Sequence, residues 1–296
     1  MALTINSNLI SLYNQVNINR LYSDLSESVE RLTTGLRINS VDDDPAGFYV
    51  SEFMRSEMAG NEQGIRNAQE GVALLQTAES GLAVIDEKLT RMKELAEQAS
   101  TGTYTSSERL TMQSEFELMA SEIDRIAAET DYNGTNLLDG TISGSTLRTT
   151  SGGWHEPDSG VLIHFGTTAR RAEDYYYLTI NAADTSSLFN NTNIAISTQA
   201  AAQTALEEVN TAIIEKDNLR SWVGSLQNRL EGTITNLENK NASLDYAESK
   251  ISDADMADEL TDYITTSVVL QSAIAIQAQA NLFPQMVECT YRPGEV

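Results

Sequence analysis

The sequence predicts a mainly α protein, a long helical coiled-coil hairpin rod with a small β insertion in the middle of the chain. Three observations carry this. Apolar residues recur at alternating steps of three and four over most of the 296 residues, the 3.5-residue repeat of a coiled-coil seam. Gly, Ser and Thr clusters with strand-like alternation are confined to about residues 141–190. Only four prolines occur and aromatics are 6%, which suits helices packed on one another better than a dense globular core.

The elements follow in order. Leu9, Leu12 and Val16, then Leu21, Leu25, Val29 and Leu32, form one stripe near the N-terminus. Asp44 reads as an N-cap with Pro45 at the first helical position. From there a seam runs Leu75, Ala78, Leu82, Ile85, Leu89, Met92, Ala96, Ala99, about 45 Å long at 1.5 Å per residue. Gly102 ends it. Leu110, Phe116 or Glu117, Met119, Ile123 and Ile126 give a second seam, which stops at the turn signal Asp131-Tyr132-Asn133-Gly134. Val161, Ile163 and Phe165 share one face of a strand, and Tyr176, Leu178 and Ile180 one face of another. A third seam runs Val209, Ile213, Leu219, Val223, Leu226, Leu230, Thr233, Leu237, Lys240, Leu244, Ala247, Ile251. Leu260, Ile264, Ser267, Gln271, Ile274 and Ala278 close the series.

Helices therefore precede and follow a small sheet, which predicts a hairpin with both chain ends at the same end of the rod. The expected organisation is terminal helices in 1–45 and 256–296, and a helical rod domain in 46–255 carrying the β-hairpin section. Loop exchanges cost little entropy, so residues 146–172 are expected to be dispensable for the seams.

Charge narrows the function. Lys and Arg number 19 against 43 Asp and Glu, a formal charge of −24. Such a chain lacks the basic surface that displaces counterions from nucleic acid or docks on anionic lipid. Residues 41–255 carry most of the excess. Residues 1–19 and 263–287 have no charged side chain at all, and an uncharged helix expects burial against other protein. The stretch 263–287 is long enough to span a bilayer, but Gln271, Gln277, Gln279, Asn281 and Gln285 argue against a membrane partner. The N-terminus lacks the basic and apolar regions of a signal peptide.

Chemical motifs are weak. Cys289 is the single cysteine, and His155 and His164 are the only histidines. His155-Glu156 lacks a second histidine at the zincin spacing, where Ser159 stands. Asp42-Asp43-Asp44-Pro45 breaks the EF-hand pattern. No Gly-rich phosphate loop exists. Neither a cofactor, a catalytic residue nor a metal site is expected, and the chain reads as a non-enzyme.

The ends carry long, co-linear motifs. They include Met1-Ala2-Leu3-Thr4-Ile5-Asn6-Ser7-Asn8, Arg31-Leu32-Thr33-Thr34-Gly35-Leu36-Arg37-Ile38-Asn39-Ser40 and Asn67-Ala68-Gln69-Glu70-Gly71. Further along stand Met92-Lys93-Glu94-Leu95-Ala96, Tyr132-Asn133-Gly134, Leu226-Gln227-Asn228-Arg229-Leu230-Glu231, Ser252-Asp253-Ala254-Asp255-Met256-Ala257 and Gln277-Ala278-Gln279-Ala280-Asn281. Over roughly 1–140 and 195–287 the sequence resembles bacterial flagellin, in a short form without large outer domains. The hook–filament junction protein is the related alternative; the opening Leu3-Thr4-Ile5-Asn6 and the Asp253-Ala254-Asp255-Met256 motif look more like flagellin. The sequence departs from the family at Asp42, at Pro45 in place of the usual Ala, and in a polar tail containing Cys289.

The resemblance implies a homopolymeric filament turned for motility, with the terminal helices as its inner core. Leu9, Leu12, Val16, Leu25, Leu32, Leu260, Ile264 and Ile274 are then the expected subunit-packing residues. It also implies secretion through the flagellar type III apparatus, without a cleaved signal. An export chaperone at the C-terminal helix and the filament cap and hook-junction proteins become expected partners. Arg91, Leu95 and Glu115 match the family's contact for the Toll-like flagellin receptor. The terminal seams are polar and marginal as isolated coils, so both ends are expected to be disordered in the free chain and to become helical on polymerisation.

Overall fold

The structure is a computed structural model describing residues 8–143, 160–167, 174–189 and 194–291, with residues 283–291 by their backbone alone. His155, Arg170 and Arg171, and the side chain of Cys289, lie outside the described residues. Helix α1 spans Leu9–Thr34, α2 Pro45–Ser100 and α3 Ser106–Glu129; strands β1 (Asp131–Tyr132), β2 (Thr135–Asn136), β3 (Val161–His164) and β4 (Tyr175–Leu178) follow. The short α4 (Thr185–Leu188), then α5 (Gln199–Ser252) and α6 (Met256–Tyr291), complete the chain. The chain divides into two compact units, residues 57–242 and residues 1–56 with 243–296.

Local chemistry sets the ends of the elements. The Asn8 side chain accepts from the Ser11 N–H at the start of α1, and Gly35, at φ 76°, ends it in the left-handed conformation that favours glycine. Asp44 Oδ1 accepts from the Ala46 N–H at 3.1 Å, so Pro45 does open α2. Thr105 and Glu108 form a reciprocal capping box on α3. Asn133 and Gly134 both have positive φ, 52° and 81°, as a two-residue type I′ hairpin requires. The turn signal thus closes a small antiparallel ladder, Asp131 opposite Asn136 and Tyr132 opposite Thr135.

In the unit 57–242 the α2 seam is as the periodicity predicts. Leu75, Ala78, Leu82, Ile85, Leu89, Met92, Ala96 and Ala99 are all fully buried, and each Leu or Ile so placed contributes about 1.5–3 kcal/mol. α5 lies antiparallel along it. Glu57 pairs with Lys240 at 2.6 Å, Glu79 with Arg220 at 2.5 Å and Asp86 with Lys216. Val209, Leu219, Val223, Leu226 and Leu230 are buried as expected.

Five positions differ. Leu110 is exposed, and Arg109 and Met112 take the inner face of α3. The cause is the end of α2: the Arg109 guanidinium donates to Ala99 O at 2.8 Å and Thr101 O at 2.9 Å, satisfying carbonyls that a helix terminus leaves orphaned. Lys240, placed in the seam by periodicity, is exposed. Lys216, skipped by it, is 1% exposed and held by Asp86 and by Asp217 at 2.6 Å.

β3 and β4 pair antiparallel, with Val161 opposite Leu178 and Ile163 opposite Tyr176. Phe165 and Leu178 are buried, and Val161, Ile163 and Tyr176 pack on the helical core. α2 accommodates this hairpin through glycines. A Cβ at Gly64 would collide with the Phe165 carbonyl, and one at Gly60 with Thr167. The β section is therefore built into the core, which corrects the expectation that 146–172 is dispensable: its removal takes away β3 and Phe165.

In the unit formed by 1–56 and 243–296, α1 and α6 are helical and lie against each other. The segment after α1 is tied to the end of α5: Arg37 N donates to Ser252 O at 2.6 Å and Ala254 N to Gly35 O at 2.9 Å. Arg55 pairs with Glu248 at 2.7 Å. Asp255 then caps α6, accepting from Ala257 N at 2.9 Å. The motif 253–256 is thus a strap followed by a helix start.

Candidate assembly surface

The expected packing residues divide into two sets. On α1 the face turned to α6 holds Ser11, Asn14, Ile18, Leu21, Leu25 and Ser28; on α6 it holds Tyr263, Thr266, Leu270, Ala273, Gln277 and Ala280. Leu25 and Leu32 are half-buried. Leu9, Leu12 and Val16 are 65%, 66% and 62% exposed, and Leu260, Ile264 and Ile274 are exposed too.

The single α1 stripe read from the sequence is therefore corrected to two faces. α1 carries one apolar row through Leu9, Leu12 and Val16 and another through Ile18, Leu21 and Leu25. A helix can turn only one of them to a given neighbour. On α6 the row in contact likewise runs through Tyr263, Leu270, Ala273 and Gln277, not through Leu260, Ile264 and Ile274.

The outer faces are continuous and neutral. Ile10 and Tyr13 join Leu9 and Leu12 on α1, and Val268, Val269, Ile276 and Leu282 join Ile264 and Ile274 on α6, all exposed. Contiguous apolar exposure of this kind marks an interaction site. No formal charge interrupts it in 8–19 or 263–282.

Arg91 and Glu115 are brought together, with Arg91 Nη2 at 2.8 Å from Glu115 Oε1 and Nη1 at 2.9 Å from Glu94. The hydrogen bonds to Glu94 and Glu115 raise the Arg91 pKa further above its ordinary value. Leu95 is 2% exposed. This corrects its place in a surface triple: four residues along α2 from Arg91, it falls in the core, where the 3.5-residue seam continues from Met92 to Ala96. Among the described residues no group of three or more His, Cys, Asp or Glu could hold a metal ion. His164 stacks on Tyr175. No described helix is long and apolar enough to cross a membrane.

Family models separate the two helical ends of the chain. The bacterial flagellin N-terminal helical region matches residues 5–143, and the bacterial flagellin C-terminal helical region matches residues 206–288. The chain belongs to the bacterial flagellin family. A flagellin of Bacillus subtilis is 36% identical over 306 aligned residues, covering 96% of this chain and 98% of that one. A flagellin of Halalkalibacterium halodurans is 35% identical, covering 96% and 97%. The flagellar filament 33 kDa core protein of Treponema phagedenis is 33% identical, covering 96% and 98%. The fold is shared with a solved chain described as a flagellar hook-associated protein from Vibrio parahaemolyticus, at TM-score 0.57 and 16% identity, covering 71% of this chain and 100% of that one. The flagellin family is structural, not enzymatic. The stretch between the two matched regions contains β3 and β4, where the sequence places the insertion.

Proposed function

We infer that this flagellin is a structural subunit of the bacterial flagellar filament, self-assembling through its terminal helices into a propeller for motility. The observation that carries the reading is the pair α1–α6, which leaves Leu9, Leu12, Val16, Leu260, Ile264 and Ile274 exposed on faces without charge. Relatives aligned over nearly the whole chain carry flagellin or flagellar filament names, so the hook–filament junction reading is not favoured. In this reading the outer faces of 1–45 and 256–296 pack against other copies in the inner filament core. Full-length chain with Leu12→Asn and Ile264→Asn should stay helical by circular dichroism yet give no fibres by negative-stain microscopy. Fibres at the parental concentration would overturn the reading.

Finer partners belong to the same proposal. Export through the type III apparatus would need a chaperone over the C-terminal helix, covering Leu260, Ile264, Val268 and Ile274. Filament cap and hook-junction proteins would meet the same terminal faces at the two ends of the polymer. Recognition by the Toll-like flagellin receptor would use the exposed Arg91–Glu115 pair, with Leu95 supporting α2 from within. Arg91→Ala monomer should signal less through that receptor than the parent; equal signalling would rule the contact out.

A further inference from the structure

Asn133 and Gly134 form the only Asn-Gly pair in the chain. Both residues are exposed, and both have positive φ, 52° and 81°. They close the β1–β2 turn, and that ladder leads straight into Leu137 and Leu138, which are fully buried. Asn-Gly has a backbone chemistry of its own. The glycine nitrogen can attack the asparagine side-chain carbonyl carbon, because glycine has no Cβ to hinder the approach. Around Gly134 the way is open, since a Cβ there would meet nothing within 4 Å. A contact opposes the attack. The Gly134 N–H donates to Asp131 Oδ2 at 2.9 Å.

We propose that Asn133 is a site of spontaneous deamidation, held latent by the hydrogen bond from the Gly134 N–H to Asp131. In the reaction a base takes the Gly134 amide proton, and the nitrogen bonds to Asn133 Cγ. The bond from Cγ to the side-chain nitrogen breaks, and that nitrogen takes up a proton and leaves as ammonia. The product is a five-membered succinimide. Water adds to one of its two carbonyl carbons and opens the ring. Opening on one side leaves aspartate at 133. Opening on the other leaves its isomer, in which the main chain runs through the former side chain. The net change is one water in and one ammonia out.

Asp131 slows the first step in two ways. A donor held by a carboxylate is stabilised in its protonated form, and a negative charge disfavours a second one beside it. Ring closure must also turn the Gly134 nitrogen toward Cγ, and a hydrogen bond weakens steeply on misalignment. Conversion matters to the fold because the isomer lengthens the main chain of a two-residue loop, whose length fixes the register of the strands. Asp131 opposite Asn136 and Tyr132 opposite Thr135 would then no longer match, just before the two buried leucines.

The test follows the full chain at mildly alkaline pH, by peptide mapping with mass spectrometry and by enzymatic methylation of the isomer. The folded parent should convert at Asn133 slowly, and the same chain unfolded in urea faster. Folded Asp131→Ala should convert about tenfold faster than the parent, the change that one unit in the acidity of the Gly134 amide produces. Asp131→Asn keeps an oxygen acceptor and should fall between the two. Amide exchange at Leu137, whose N–H donates to Thr130 O at 3.0 Å, reports whether the turn stays closed. Should Asp131→Ala open it, Asp131→Asn decides, and must convert faster than the folded parent and slower than the unfolded chain. If Asp131→Ala converts at the parental rate while the unfolded chain is faster, the turn alone protects Asn133 and the role of Asp131 is wrong. Equal rates for Asp131→Ala and Asp131→Asn with the turn closed would also overturn the hydrogen bond as the cause. If Asn133 survives in urea, it is no such site.

Discussion

Lys216 shows what a side chain can do against its own hydrophobicity. It sits among Ala212, Leu219 and Val223 in the unit 57–242, buried, with its ammonium on Asp86 and Asp217. Desolvating a charge costs several kcal/mol, and only excellent partners offset it. Replacing both charge and cost with an apolar isostere should therefore be neutral or stabilising. Lys216→Met is expected to melt at or above the parental temperature. Asp86→Ala, which leaves the ammonium buried with Asp217 alone, should lose about 2 kcal/mol, the scale of a hydrogen bond to a charged group. Thermal and denaturant melts of the full chain check the order, and a destabilised Lys216→Met would contradict it. Periodicity passes from Ile213 to Leu219 without naming Lys216, because a hydrophobic count has no place for a paired charge. The glycines at 60, 64 and 71 carry a signal that was there to be read. They share a face of α2 at steps of four and seven, where a Cβ would meet Thr167 at Gly60, the Phe165 carbonyl at Gly64, and the Leu230 and Ile163 side chains at Gly71.

At the scale of elements, legibility depended on where a helix finds its neighbour. The α2 seam was readable to the residue because its partners lie in the same unit, and one face holds nearly all the aliphatic residues. α1 and α6 were readable as helices but not as faces, since each carries two apolar rows and composition does not rank them. α4 spans only Thr185–Leu188, too short for any period. It is fixed instead by Asp184 as N-cap and by Asp124, which accepts from the Thr185 N–H at 2.8 Å. Thr105 and Glu108, by contrast, spell a capping box in sequence. The Thr105 backbone N–H, and then its hydroxyl, hold the Glu108 pKa below the ordinary glutamate value. A carboxylate depressed in the folded state adds stability that is fully present above its unfolded pKa and lost as pH falls through the lower folded value. Acidification through that window should loosen the first turn of α3. In Glu108→Gln the same turn should lack this acid transition. Amide exchange across 106–110, corrected for its intrinsic pH dependence, measures both; identical acid profiles would refute the assignment.

For the whole molecule, the arrangement of charge sets the conditions of assembly. Each copy carries a formal charge of −24, with none in 1–19 or 263–287. The terminal faces can therefore meet without electrostatic cost, while the acidic remainder of every copy repels its neighbours at longer range. Salt shortens that range: the Debye length is about 30 Å at 0.01 M, about 10 Å at 0.1 M and about 3 Å at 1 M. Burial of aliphatic surface weakens little over the same interval. The critical concentration for fibres should accordingly fall as sodium chloride rises from about 0.01 M to about 0.1 M, then level off once repulsion between copies is screened. Lowering the pH toward the sequence pI of 4.3 should act in the same direction by protonating carboxylates. The Leu12→Asn, Ile264→Asn chain should gain nothing from either, because screening removes a repulsion without restoring the buried face. Sedimentation of fibres across a salt series decides between the contributions. A critical concentration that rises with salt would mean that ion pairs between copies, and not the neutral helices α1 and α6, hold the polymer together.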